Sequence, residues 1–203
     1  MRYFTTDTHF GHPLVTVLRG FTTFDPTRSR YEEVLRAQGR RVAEDWAKET
    51  TFSAGSTFRQ TADTDAHDKA IVDHINTLVG PDDELWILGD IGFRTSLTHL
   101  KNCLRALNCK HLHGVIGNHD DWWLEDRPAL NLFESLEPHD TVEIEGLGGA
   151  RPEALNVGLD AWDLMPVSET QVVEWFRNHD VDSPANGTSK ADDSVPSLDM
   201  PSF

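Results

Sequence analysis

The sequence predicts an α/β fold built on a largely parallel sheet. Short apolar or β-branched runs, "RYFTT" at residues 2–6, "ELWIL" at 84–88 and "KHLHGVI" at 110–116, read as strands, and stretches of helical periodicity separate them. "ELWIL" is nearly continuous in apolar residues, as strands covered on both faces are. Each of the three runs stops at a polar cluster, where the strands of an open α/β sheet converge on a ligand-binding crevice.

Taken in order, "RYFTT" is a β-branched and aromatic strand that stops at Asp7, with a loop expected from there to about Pro26. "RYEEVLRAQGRRVAEDWAKE" sets Tyr31, Val34, Leu35, Val42 and Trp46 at near-helical spacing, which predicts one amphipathic helix running through Gly39. "TTFSAGSTFRQTADTD" has no period and reads as loop. Asp65 is placed to cap a helix over "AHDKAIVDHINTLV", which the Gly-Pro turn of "GPDD" ends. After "ELWIL", a helix from roughly Ser96 to Leu107 leads into "KHLHGVI". "NLFESL", "TVEIE" and "LNVGL" predict shorter strands, and "SETQVVEWFRNH" a closing helix. Residues 180–203, rich in Ser, Pro and Asp and poor in core residues, have the composition of a disordered tail. The expected organisation is one domain over 1–179 followed by that tail.

A formal net charge of −16 over 203 residues argues against binding duplex nucleic acid or an anionic membrane through a basic face. A site that handles phosphate in such a chain needs its own positive charge, most simply a metal ion. Cys103 and Cys109 are the only cysteines, which suits a reducing compartment without a disulfide framework; one reads as a buried helical thiol, the other as a thiol at a strand start. No apolar stretch has the length of a signal peptide or a membrane span, so the expected location is cytoplasmic.

The polar clusters are Asp7-Thr8-His9, Gly89-Asp90 and Gly117-Asn118-His119-Asp120. Asn118, His119, Asp120 and Asp121 are costly to bury and unnecessary for a simple turn. Carboxylate, imidazole and amide groups gathered at one rim form a donor set for hard or borderline cations. Asp7 and His9 stand two apart, so an extended backbone would point both to the same side. Gly89 and Gly117 would leave room for the backbone beside a bound ion or substrate. Singly, each cluster has an ordinary reading as a cap or turn. In this order, each directly behind a predicted strand, they point to one site.

"DTHFGH", "LGDIGF" and "GNHD" resemble the first three signature blocks of the calcineurin-like metallophosphoesterases. The flanking "HDKAIVDHINTLVGPDDELWILGD" is similar to a small bacterial and phage branch of that superfamily. The resemblance covers Met1 to about Leu18 and Asp65 to Glu145, and resumes at "LNVGLDAWDLMPVS", which looks like that branch's closing strand. It implies a four-layer fold, a β-sandwich flanked by helices, and hydrolysis of phosphate mono- or diesters through a metal-activated water. It also implies roles: Asp90 bridges two divalent ions (Mn, Fe or Zn), Asp7 and His9 complete the first, Asn118 ligates the second, and His119 is the acid–base group beside the substrate. The substrate it implies is a phosphorylated small molecule or nucleotide. His12 matches the family's "HFGH", with facing the substrate and packing the loop both open to it.

This chain departs from the family in one place. Three further histidines, one after the next strand and a Gly-His-x-His pair, have no counterpart; after "TVEIE" the sequence passes through "GLGGARPEA" to "LNVGL". The second sheet is therefore expected to be shortened, and the second metal weak or absent. The first ion keeps Asp7, His9 and Asp90, the protein-ligand count of a catalytic zinc with an open position. His139 and Asp140 could substitute for a lost ligand, although a polar turn is the plainer reading. His111 and His113 read as packed or surface residues, and His179 as a residue at a helix end. Residues 19–62 interrupt the resemblance as a helical insertion. From Arg19 to Arg59 it carries eight Lys or Arg against six Asp or Glu, a net of +2, which suits either steering of an anionic substrate or a solvated helix packed on the body. Three functional readings follow: a working phosphoesterase, a degenerate member that binds a partner or nucleotide without turnover, and a truncated product with an open sheet edge.

Overall fold

The computed structural model describes residues 1–23, 27–53, 58–93, 95–120, 123, 131–137, 142–144, 148–150 and 166–178. Within them the chain is α/β. Five strands form one sheet in the order β4-β3-β2-β1-β7: β1 (Arg2–Thr5), β2 (Glu84–Leu88), β3 (His111–Val115), β4 (Ser135–Glu137) and β7 (Val167–Ser168). The pairs β1–β2, β2–β3 and β3–β4 are parallel, and β7 runs antiparallel to β1. A separate hairpin pairs β5 (Val142–Ile144) with β6 (Gly148–Ala150). The three strands expected from sequence thus lie side by side, and the loops that follow them leave from one end of the sheet.

Two helices cover one face. α5 (Thr64–Leu78) connects towards β2, and α6 (Leu97–Arg105) connects β2 to β3. Ile71, Val72 and Ile75 of α5, Leu100 and Leu104 of α6, and Leu85, Ile87 and Leu112 of the sheet share one buried core with Trp123. Burying a side chain of this size contributes about 1.5–3 kcal/mol, so this layer is the main stabilising element. On the other face Trp86 stacks on His113 with ring centroids 4.6 Å apart. α7 (Glu169–Asn178) follows β7 and closes the described chain.

Several local expectations need correction. The stretch up to Pro26 is not all loop: α1 (Pro13–Leu18) forms there, with Pro13 in the first turn and the His12 ring accepting from the amide of Val15. The single helix through Gly39 is two helices, α2 (Thr27–Gln38) and α3 (Arg40–Ser53), because Gly39 turns the chain at φ +85°. Tyr31, Val34, Ala43 and Ala47 then face one another in a small second core. α3 continues into the stretch expected to be loop, and a short α4 (Phe58–Thr61) lies beyond it. The cap of α5 is Asp63, whose carboxylate accepts from Ala66 N at 3.0 Å; Asp65 sits in the first turn, where its charge complements the dipole.

The helical segment over 19–62 closes on itself. Thr22 and Ala62 form an antiparallel bridge, with Thr23 N donating to Thr61 O at 2.8 Å and Asp63 N to Phe21 O at 3.0 Å. α3 and α4 pack on α1. Among the described residues, no helix is long and apolar enough to cross a membrane. The "LNVGL" strand, His139, Asp140, Asp121, His179 and the tail over 180–203 lie outside the described residues.

Candidate metal centre

The parallel pairing of β1 with β2 continues past both strands and builds the site. Asp7 N donates to Gly89 O (3.2 Å), His9 N to Asp90 O (2.8 Å) and Phe10 N to Ile91 O (3.0 Å). The Thr8 hydroxyl adds a bond to Ile91 O at 2.9 Å. The loops after β1 and β2 therefore run together as a laced pair, and the side chains of Asp7, His9 and Asp90 meet across them.

These three residues are also the non-glycine positions with positive φ among the described residues: Asp7 at 51°, His9 at 46° and Asp90 at 47°. The extended backbone expected to align Asp7 with His9 is thus not what aligns them; two left-handed residues do. For L side chains each such conformation costs on the order of 1 kcal/mol or more, and such strain gathers where function over-determines the backbone. Asp90 follows Gly89, itself at φ +85°.

His9 Nε2 lies 3.6 Å from Asp7 Oδ1 and 3.7 Å from Asp90 Oδ2. Those separations are too long for hydrogen bonds. Donors arranged tetrahedrally around a divalent ion at 2.0–2.2 Å stand about 3.4 Å apart, close to what is seen. His9 and Asp90 are nearly buried, their side chains 10% and 11% exposed, and Asp7 opens to solvent at 31%. The buried Nδ1 of His9 has no hydrogen-bond partner. Burial alone would raise the Asp7 carboxyl, but His9, the Thr6 hydroxyl and the charge of Arg19 together hold it below the ordinary carboxylate range. The donor set fits a divalent ion: two oxygens and one imidazole nitrogen, drawn together without bonding one another.

The loop after β3 reaches the same place through a close approach. Gly117 packs so tightly on Asp90 that a Cβ there would meet Asp90 N at 2.2 Å and Oδ1 at 2.3 Å. Gly117 was expected to leave room for the backbone beside an ion or substrate, and the group that comes up against it is Asp90. His119 N donates to Asp90 Oδ1 at 2.9 Å, so one carboxylate oxygen is held by this loop while the other faces His9. Asn118 sits on the same turn and is exposed. The His119 ring lies 4.6 Å from Phe93 and 5.7 Å from His9. His12 stacks on the other end of this group, 4.6 Å from Phe93 and 5.1 Å from His9; burial, with His9 and His119 nearby, lowers its pKa to about 4. His12 both caps α1 and lines the site.

Asp120 has a structural duty that the sequence reading did not assign. Its fully buried carboxylate accepts from Ile91 N (2.9 Å), Gly92 N (3.2 Å), Gly117 N (2.9 Å) and the Trp123 indole (3.1 Å). It ties the loop after β3 to the loop after β2. Burial pushes this carboxyl up, and the four N–H donors pull the other way. The signal was available: an acid directly after Asn-His, three residues before a tryptophan.

A second group, Asp68, His99 and Cys103, also has donor atoms close together. It is a hydrogen-bonded network. Asp68 Oδ2 accepts from His99 Nε2 at 2.6 Å and from Gly11 N at 2.9 Å, Oδ1 faces His67 Nδ1 at 2.7 Å, and burial pushes the Cys103 thiol up to about 12. Both cysteines are free thiols, Cys103 buried in α6. His111 pairs with Glu134 and His113 with Trp86 and Ser135, away from the centre, as expected.

No protein-family model matches the chain, and no curated protein matches it. Among solved structures, a protein of unknown function from Aquifex aeolicus is similar at 18% identity and a TM-score of 0.41, over 89% of this chain and 74% of the other.

Proposed function

We propose that the chain is a metal-dependent phosphoesterase of the calcineurin-like kind, acting on phosphate mono- or diesters at the Asp7–His9–Asp90 centre. One observation carries the reading: three left-handed residues, on two adjacent parallel strand ends, hold an imidazole 3.6–3.7 Å from each of two carboxylates. A hydrogen-bonded structural cluster would close those gaps; a site for a cation keeps them. Asp7, His9 and Asp90 would hold the ion, Mn, Fe or Zn, and Asn118 is the neutral amide donor on the adjoining loop. The ion would lower the pKa of water and offset charge on the phosphoryl oxygens.

The remaining residues position the substrate's reacting end. His119 is the acid–base group: it stands next to the ligands, its ring set by Phe93 and its backbone tied to Asp90. Asp120 holds that turn rigid through its four donors. Phe93 and His12 stack on each other beside His119 and line the site with it. In the calcineurin-like fold the face carrying Trp86 and His113 takes a second sheet, and the β5–β6 hairpin is what a shortened second sheet would leave.

The second reading, a degenerate member that binds without turnover, is favoured by the ligand count: among the described residues, no further His, Cys, Asp or Glu joins the three. Hydrolysis of a generic aryl phosphodiester with added Mn, using protein purified without chelator, separates the two. A working enzyme exceeds the rate of free metal ion and loses that excess in Asp90→Ala. A parent rate equal to that of free metal contradicts the enzyme reading.

A further inference from the structure

The loop that carries Asp7 and His9 is gripped at both ends by one continuous polar chain buried beneath it. At the near end, Arg19 Nη2 donates to Asp7 O at 2.9 Å, and Nη1 reaches Thr8 O at 3.5 Å. At the far end, Gly11 N donates to Asp68 Oδ2 at 2.9 Å. Between them stands His67, fully buried, 3.0 Å from Arg19 Nη1 through Nε2 and 2.7 Å from Asp68 Oδ1 through Nδ1.

The chemistry of the partners fixes the protons. A guanidinium only donates, so His67 Nε2 accepts; Nδ1 then carries the proton and donates to Asp68. His67 is neutral, and burial holds its pKa below the ordinary value. A neutral imidazole therefore links a cation to a buried carboxylate, in the order Arg19–His67–Asp68. His99 completes the chain with a 2.6 Å contact to Asp68 Oδ2, its own side chain 30% exposed. Left-handed turns at Asp7 and His9 direct the loop's peptide groups inward, and buried peptide groups need partners. The partners here are Arg19, which ends α1, and Asp68 of α5.

We propose that Arg19, His67 and Asp68 form a clamp whose function is to hold residues 7–11 in the conformation, left-handed at Asp7, His9 and Gly11, that aims Asp7 and His9 at a divalent ion. This rests on the reading of the metal centre above. His67 and Asp68 are positioning residues, acting on the ligands through the backbone that carries them.

The role of His67 makes the test specific. Glutamine can accept from Arg19 with its oxygen and donate to Asp68 with its nitrogen, whereas leucine can do neither. Mn titration of the full chain should show His67→Gln binding within a few-fold of the parent. His67→Leu and Asp68→Asn should bind roughly 10–100-fold more weakly, the loss typical when groups that orient metal ligands are removed. Amide exchange over residues 7–11 of the metal-free protein should rise in His67→Leu and Asp68→Asn and stay near the parent rate in His67→Gln. If the parent binds Mn and both disruptive variants bind within twofold of it, the clamp's role in positioning is overturned, even if they melt earlier. If the parent binds no metal, the reading of the centre fails, and the exchange rates decide the clamp separately: unchanged rates sink it, faster rates retain it as the device that sets this loop.

Discussion

A methyl group at position 117 would land 2.2 Å from the backbone nitrogen of Asp90 and 2.3 Å from its Oδ1. Non-bonded atoms of this kind settle at about 3.5 Å, so Gly117→Ala demands a separation of roughly 1 Å between the loops after β2 and β3. Neither loop yields easily. Asp120 pins Gly117 N, Ile91 N and Gly92 N to one carboxylate, and Gly89 N donates to Val115 O at 2.9 Å. Overpacking of this size costs about 1–3 kcal/mol, and the rigid surroundings place the expected loss at the upper end. A ligand constellation needs its atoms held within about 0.5 Å, so Mn affinity should fall roughly 10-fold or more. Urea unfolding of the metal-free protein and Mn titration read the two effects separately. Gly39→Ala is the control: it meets nothing within 4 Å but is strained by φ +85°, so it should lose about 1 kcal/mol and no metal affinity. A Gly117→Ala protein that binds Mn as tightly as the parent would refute the claim that this approach positions Asp90.

Asp120→Ala strands four N–H donors, three of them in buried hydrogen bonds. At about 1–3 kcal/mol per unmet donor, with water able to reach Gly117, the three buried donors put the expected loss at about 3 kcal/mol or more by denaturation, with Asp120→Asn recovering part of it. An unchanged midpoint in Asp120→Ala would show that the carboxylate is not the tie between these loops. His119→Gln should keep the fold and the metal while lowering phosphodiester turnover on the order of 10²-fold, and less for a substrate whose leaving group is already a good anion. Equal rates for parent and variant on both substrates would remove His119 from the acid–base role. Titration at low micromolar Mn should saturate near one ion per chain, because Asn118 and Asp90 alone hold a second ion weakly; two tight ions would mean that other residues complete the cluster.

The sheet and the convergence of three polar clusters were legible because strand periodicity and strand-end chemistry are local signals. "ELWIL" and "KHLHGVI" need only their own residues to announce themselves. The conformation of Asp7 and His9 was not legible, since an i, i+2 pair reads as strand unless the long-range bonds to Gly89 and Asp90 are known. Gly39 was read as tolerated within a helix, yet its freedom at positive φ lets α2 and α3 fold against each other. α1 had a usable sign in Pro13, placed to open a helix behind His12. The clamp beneath the loop had one too. Asp68 shares the i, i+3, i+4, i+7 stripe of Ile71, Val72 and Ile75, and a charged residue on a buried stripe demands partners. Which partners could not be read, because Arg19 and His99 lie 48 residues before His67 and 31 after Asp68.

Mn titration of the parent beside Asp90→Ala asks whether Asp7, His9 and Asp90 hold a divalent ion. Asp90 supplies one of three donors and its carboxylate is shared between His9 and the loop after β3. Saturable binding is expected of the parent and none above background of Asp90→Ala, with the variant still folded. Equal binding by the two proteins would place the metal elsewhere and rule out this centre.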